Sequence, residues 1–146
     1  MADQIRVMII DDHEVVRRGL AEVVQRAEGL EVVAEASSVA EATRRLVLVR
    51  PDVLLVDLQL PDGTGIEIIN AAKQHLPEAG CIVLTSFDDD DAVAASLAAG
   101  AKAFVLKTVR GAEIADVIRS VAPAAPCSMS APSPGAGPTP TTRQPI

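Results

Sequence analysis

A chain of 146 residues with 49% hydrophobic content can bury a single core of common domain size, so one domain is expected. Twenty acidic against thirteen basic residues leave a formal charge of −7, which repels nucleic acid and anionic membranes and argues against direct DNA binding by this chain alone. Cys81 and Cys127 have no metal-knuckle or disulfide spacing, the N-terminus lacks the regions of a signal peptide, and no apolar run could span a bilayer, so a soluble protein of the reducing cytoplasm is expected.

Short apolar runs alternate with segments of helical period. Ile5 to Ile10 reads as a first strand, followed by a helix with Val16, Leu20, Val23 and Ala27 on one face and Gly29 at its end. Leu30 to Ala36 is a second strand. Ser38-Val39-Ala40-Glu41 has the spacing of a capping box and opens a helix whose buried stripe is Val39, Ala42, Leu46 and Val49. Pro51 stops that helix, Val53 to Asp57 returns to the sheet, and Leu60-Pro-Asp-Gly-Thr-Gly65 supplies turn chemistry before a helix over Ile66 to His75.

Pro77 and Gly80 separate that helix from the strand Cys81 to Thr85. Asp88 to Asp91 supply a cap and dipole stabilisation for an Ala-rich helix that ends near Gly100. Ala103 to Leu106 is the last strand, and Ile114, Val117, Ile118 and Val121 mark a fifth amphipathic helix. Only Phe87 and Phe104 are aromatic, so Val, Leu, Ile and Ala must fill the core, which suits strands buried on both faces. The pattern predicts an α/β fold: a doubly wound, five-stranded parallel sheet with right-handed crossovers and helices on both faces. Residues 1–121 form the expected domain. From Ala122 the chain turns to Pro, Ala, Ser, Thr and Gly, a composition that predicts a disordered tail over 122–146.

Five polar residues stand where apolar runs end: Asp11 and Asp12, Asp57, Thr85 and Lys107. In one parallel sheet these side chains converge at the carboxyl edge, where open α/β sheets bind ligands. Three carboxylates together repel, by roughly 4 kcal/mol per pair at about 4 Å and an intermediate dielectric. A hard divalent cation relieves that repulsion, and Mg²⁺ suits a site of carboxylates, a backbone carbonyl and phosphate oxygens. Taken singly, Asp12 reads as a helix cap, Asp57 as a strand end, Thr85 as a strand residue and Lys107 as an edge charge. Their order at four strand ends favours a common site.

Asp-Asp-His-Glu at 11–14, Asp57 followed by Leu-Gln-Leu-Pro-Asp-Gly, Thr85-Ser86, and Phe104-Val-Leu-Lys107 resemble the receiver domain of two-component response regulators, over about residues 5–121. His13 and Leu60-Pro-Asp-Gly-Thr-Gly-Ile-Glu67 are similar to the NarL/FixJ branch. Asp-Asp-His-Glu-Val-Val-Arg-Arg-Gly-Leu at 11–20 and Ser38-Val-Ala-Glu-Ala42 are similar to the actinobacterial dormancy regulators. The resemblance implies a flavodoxin-like strand order 2-1-3-4-5 and a phosphoacceptor signalling domain that is not an enzyme in its own right, though it assists its own Mg²⁺-dependent phosphorylation and dephosphorylation. By the same resemblance Asp57 takes the phosphoryl group from a sensor histidine kinase. Asp12, Asp57 and the Gln59 carbonyl bind Mg²⁺, with Asp11 acting through water. Lys107 pairs with phosphoryl oxygens, and Thr85 and Phe104 form the switch that shifts the fourth helix; read from the residues, Phe104 fits equally a ring that fills the edge of the sheet, and the fourth helix has only Val93 and Leu97 as large apolar side chains to anchor it.

The same resemblance implies the regulatory part of a DNA-binding transcription regulator, with a homodimer among its possible states. The branch usually continues into a helix-turn-helix domain, whereas here the sequence turns Pro-rich, so a stand-alone phosphoryl carrier or protein-binding module is the alternative. A nucleotide-binding α/β domain is disfavoured because Asp-Asp-His-Glu, and not a glycine-rich turn, follows the first strand. An aspartyl phosphatase would want its first acids two apart, and Asp11 and Asp12 are adjacent. His13 reads first as the residue that opens a helix and only second as a metal ligand; His75 reads as a solvated residue near a helix end.

Overall fold

The computed structural model describes residues 4–85, 90–107 and 111–123. Among these residues seven strands and five helices follow in the order β1 (Ile5–Ile10), α1 (Glu14–Arg26), β2 (Leu30–Ala36), α2 (Val39–Val49), β3 (Val53–Asp57), β4 (Gln59–Leu60), β5 (Gly63–Thr64), α3 (Gly65–His75), β6 (Gly80–Thr85), α4 (Asp90–Ala99), β7 (Ala103–Leu106) and α5 (Gly111–Val121). The main sheet runs β2-β1-β3-β6-β7, all parallel, which is the expected 2-1-3-4-5 order; β4 and β5 form a separate antiparallel ribbon within the segment whose composition predicts a turn. Ser86, Phe87, Asp88, Asp89 and residues 124–146 of the expected tail, with Cys127, lie outside the described residues, as does the side chain of Asp90.

Alternation along the strands builds two cores. Met8, Ile10, Leu54, Val56 and Val83 meet Leu46, Ile68, Ile69 and Ala72 from α2 and α3 on one face. Val7, Ile9, Leu55, Ile82 and Leu84 meet Leu20, Val24, Ile114 and Ile118 from α1 and α5 on the other. All five residues of β3 are buried. The central strand therefore reads as a continuous apolar run up to its final aspartate, as a strand covered on both sides must.

Element ends follow local chemistry. Gly29 takes φ +82° between α1 and β2. At the start of α2 the Ser38 hydroxyl accepts from Glu41 N–H at 3.1 Å, but the Glu41 carboxylate reaches Ser37 N–H at 2.9 Å instead of returning to Ser38, so the expected box closes one residue early. A reciprocal acid stands at α3, where Glu67 accepts from Thr64 N–H at 3.1 Å. That helix begins at Gly65, one residue before its expected start. In α1 the buried pair is Leu20 and Val24, with Val23 half-buried beside them, because the stripe drifts by one position over two turns. In α4 the expectation for Leu97 is corrected: it is 40% exposed, and the fully buried side chain is Ser96, whose hydroxyl turns back onto the Val93 carbonyl at 2.7 Å.

Candidate functional site

At the carboxyl edge of the sheet β1 delivers Asp11, β3 ends on Asp57, β6 ends on Thr85, and Lys107 follows β7. Asp11, Asp57 and Thr85 are buried. The Asp11 N–H donates to the Ala36 carbonyl at 3.0 Å, which continues the β1–β2 ladder to the site. Lys107 N–H donates to the Thr85 carbonyl at 2.9 Å and continues the β6–β7 ladder in the same way. Sheet hydrogen bonding thus fixes the backbone beneath each functional side chain.

The Lys107 ammonium crosses the pocket to Asp57 Oδ2 at 3.0 Å and lies 3.4 Å from Asp11 Oδ2. Asp57 Oδ1 accepts from the Gln59 N–H at 3.2 Å. Burial raises the Asp57 carboxyl above its ordinary range; the Lys107 hydrogen bond opposes that shift and the neighbouring Asp11 charge adds to it. Burial works to lower the Lys107 ammonium, and the Asp57 and Asp11 carboxylates outweigh it, so its value rises. One cation therefore stands between two buried acids and does not fully compensate them.

Asp11, Asp12, His13 and Asp57 each present a ligand atom, all within 4.8 Å of one another. Asp11 Oδ2 is buried with the Lys107 ammonium at 3.4 Å as its counter-charge, and that single cation is shared with Asp57, so a divalent ion would add neutralisation that the pair of acids lacks. These donors fit a divalent metal ion. The expectation that Asp11, Asp12, Asp57 and Lys107 share one cleft agrees with this geometry; Gln59 joins through its N–H to Asp57, and Thr85 through its carbonyl to Lys107. Phe104 sits opposite Val83 in β7 with its side chain 51% exposed. His75 belongs to the last turn of α3.

The family pattern described as the response regulator receiver domain matches residues 7–119. The chain belongs to that family. This receiver is 43% identical over 117 residues to the DNA-binding transcriptional activator DevR/DosR of Mycobacterium tuberculosis, covering 80% of this chain and 54% of the relative. It is 45% identical over 122 residues to the transcriptional regulatory protein LiaR of Bacillus subtilis, covering 84% and 58%. The chain thus spans just over half the length of these relatives. Among solved structures, the receiver domain of NarL from Mycobacterium tuberculosis superposes with a TM-score of 0.77 at 28% identity, covering 82% of this chain and 96% of that one. A LuxR-family response regulator from Aurantimonas gives 0.75 at 32%, covering 82% and 85%.

Three residues that support the receiver's pocket were not singled out from sequence. Arg17 donates from Nη1 to the Asp11 carbonyl at 2.7 Å and from Nε to Glu35 at 3.1 Å, bracing the turn that carries the acid pair. Asp62, read only as a turn residue, accepts the Val39 and Ala40 N–H groups at 2.7 and 3.0 Å and so ties the loop after Asp57 to the start of α2. Both contacts join residues that sequence spacing does not relate. Gly65 approaches the Asp57 carbonyl so closely that a Cβ there would stand 2.5 Å from it. Its turn-forming neighbours concealed that packing role.

Proposed function

We propose that Asp57 is the phosphoacceptor, taking its phosphoryl group from a phosphohistidine on a sensor kinase. An Asp57 oxygen attacks phosphorus, the P–N bond breaks with its electron pair returning to the imidazole nitrogen, and an acyl phosphate forms. Such a transfer asks the protein for an in-line nucleophile and neutralisation of the equatorial oxygens. Lys107, now hydrogen-bonded to Asp57 Oδ2, is placed to pass to a phosphoryl oxygen as that carboxylate oxygen becomes the bridging atom. Thr85 donates to a second phosphoryl oxygen. Asp12, Asp57 and the Gln59 carbonyl would hold Mg²⁺, with Asp11 acting through water, and the ion when bound would supply charge neutralisation for transfer and hydrolysis. The convergence of Lys107 on Asp57 and Asp11 carries this reading, since it assembles acceptor, acid partner and counter-charge from three strands.

Phosphorylation then biases a switch in which Thr85 moves toward the phosphoryl group, Phe104 turns inward, and α4 shifts to present a partner surface. The named relatives are transcriptional regulators, which supports the receiver as the regulatory part of a cytoplasmic DNA-binding regulator, with DNA contacts made by a separate domain and a homodimer as a further partner state. Incubation with a radiolabelled small phosphodonor and Mg²⁺ should label the wild-type protein, and Asp57→Asn should abolish labelling while circular dichroism stays native. Undiminished labelling of a folded Asp57→Asn protein assigns the acceptor elsewhere.

A further inference from the structure

Two side chains share the backbone N–H groups left free at the start of α2. Ser38 Oγ takes that of Glu41 at 3.1 Å, and the Asp62 carboxylate takes the other two, Oδ1 from Val39 at 2.7 Å and Oδ2 from Ala40 at 3.0 Å. Each oxygen of this carboxylate thus meets its own donor at the positive end of a helix, which fixes the side chain against rotation. These hydrogen bonds, that from Val39 first, hold the Asp62 carboxyl below the ordinary carboxylate range.

Asp62 belongs to the Pro61-Asp62 turn between β4 and β5, where Gln59 pairs with Thr64 and Leu60 with Gly63. Gly63 also lies against α2, since a Cβ there would stand 3.2 Å from Val39 Cγ2. The base of the same ribbon reaches Asp57: the Gln59 N–H donates to Asp57 Oδ1 at 3.2 Å, and the Gly65 N–H donates to the Leu58 carbonyl at 3.0 Å. On the other side, α2 follows β2, whose last residue, Ala36, accepts the Asp11 N–H at 3.0 Å. Asp62 therefore closes a ring of contacts that runs from Asp57 through the ribbon and the start of α2 to Asp11.

We infer that Asp62 is a positioning residue for phosphoryl transfer: by pinning the tip of the β4–β5 ribbon to α2, it keeps the Gln59 N–H on Asp57 Oδ1 and leaves Oδ2 facing Lys107. The inference rests on the reading of Asp57 as the acceptor. Asp62 acts through the backbone of the ribbon, and in-line transfer is sensitive to such support, because a displacement of about 1 Å at a reacting group can cost roughly a hundredfold in rate.

The test compares wild type, Asp62→Ala, Asp62→Asn, Ser38→Ala and Asp57→Asn at a temperature where circular dichroism is native for each. Initial labelling rates are measured against the concentration of a radiolabelled small phosphodonor with MgCl₂ present, and amide exchange is followed by NMR without divalent cations. Asp62→Ala should lower the saturating rate by about tenfold or more and leave the half-saturating donor concentration within about twofold. It should also speed exchange at Gln59 as well as at Val39 and Ala40. Asp62→Asn, with one accepting oxygen, should fall between. Ser38→Ala removes the other cap of the same helix and should speed exchange at Glu41 while Gln59 and the labelling rate stay as in wild type. Faster exchange confined to Val39 and Ala40 in Asp62→Ala overturns the inference, as does equal slowing of labelling by Ser38→Ala. Labelling that survives in Asp57→Asn sinks the acceptor reading; labelling lost in Asp57→Asn and undiminished in Asp62→Ala sinks this inference alone.

Discussion

Asp57 is buried against a like charge, and this costs the folded state at neutral pH. Because its carboxyl is raised in the folded protein, the native state holds that proton more tightly than the unfolded chain does. Its contribution to stability is fully present below the unfolded-state value and is lost as pH rises through the folded value. Urea denaturation across pH 4 to 8 without divalent cations should show that loss in the wild type. Asp57→Asn should flatten it and be the more stable protein at neutral pH; a variant with the same pH slope would mean that burial does not penalise the anion. Gly65 is constrained more simply. A Cβ would meet the Asp57 carbonyl at 2.5 Å and Val56 Cγ1 at 2.7 Å, both on the buried β3. Gly65→Ala should cost about 1 to 3 kcal/mol in urea denaturation, as overpacking does, and should slow labelling because the acceptor backbone must shift.

Among the helices, α4 and α5 differ in how they are held. Helix α5 buries Ile114, Ala115, Ile118 and Val121, whereas α4 buries Ser96 and leaves Leu97 40% exposed. A fully buried Val, Leu or Ile contributes about 1.5 to 3 kcal/mol, so α5 has several such anchors where α4 has only half-buried Val93 with alanines. Local opening should follow that difference. Amide hydrogen exchange should be faster across residues 92–99 than across 114–121, and equal protection would remove α4 as the element moved by the switch. Phe104 belongs with this argument, since its exposed ring lies on β7, next to the strand that ends in Thr85.

At the scale of the whole molecule the acid pocket couples cation binding to folding. A ligand that binds only the native state stabilises it by mass action, and a tenfold excess over Kd adds about 1.4 kcal/mol. In a domain of this size that raises the midpoint of thermal unfolding by roughly 4 °C. Titration with MgCl₂ should produce this shift in the wild type and a smaller one in Asp57→Asn, whose starting midpoint is higher. An equal shift in both would move the site away from Asp57. No helix among the described residues is long and apolar enough to cross a membrane.

The strands and most helix faces were legible because their causes are local: buried parallel strands read as apolar runs, helices carry a 3.6-residue stripe, and Pro and Gly punctuate between them. The polar residues that end those runs were legible for the same reason, so Asp11, Asp57, Thr85 and Lys107 could be assigned to one edge before their distances were known. Tertiary structure alone decided how they meet: Lys107 lying between two acids, Asp62 crossing to cap α2, Arg17 bracing the Asp11 turn, and His13 set between the carboxylates of Asp11 and Asp12. It also decided that Leu97 faces outward and Ser96 inward, since in an alanine-rich helix several faces are nearly equal in apolarity. Sequence patterning specifies which face of an element is buried when one face is clearly more apolar. Side-chain encounters across strands depend on twist, register and crossover geometry, which no single segment encodes.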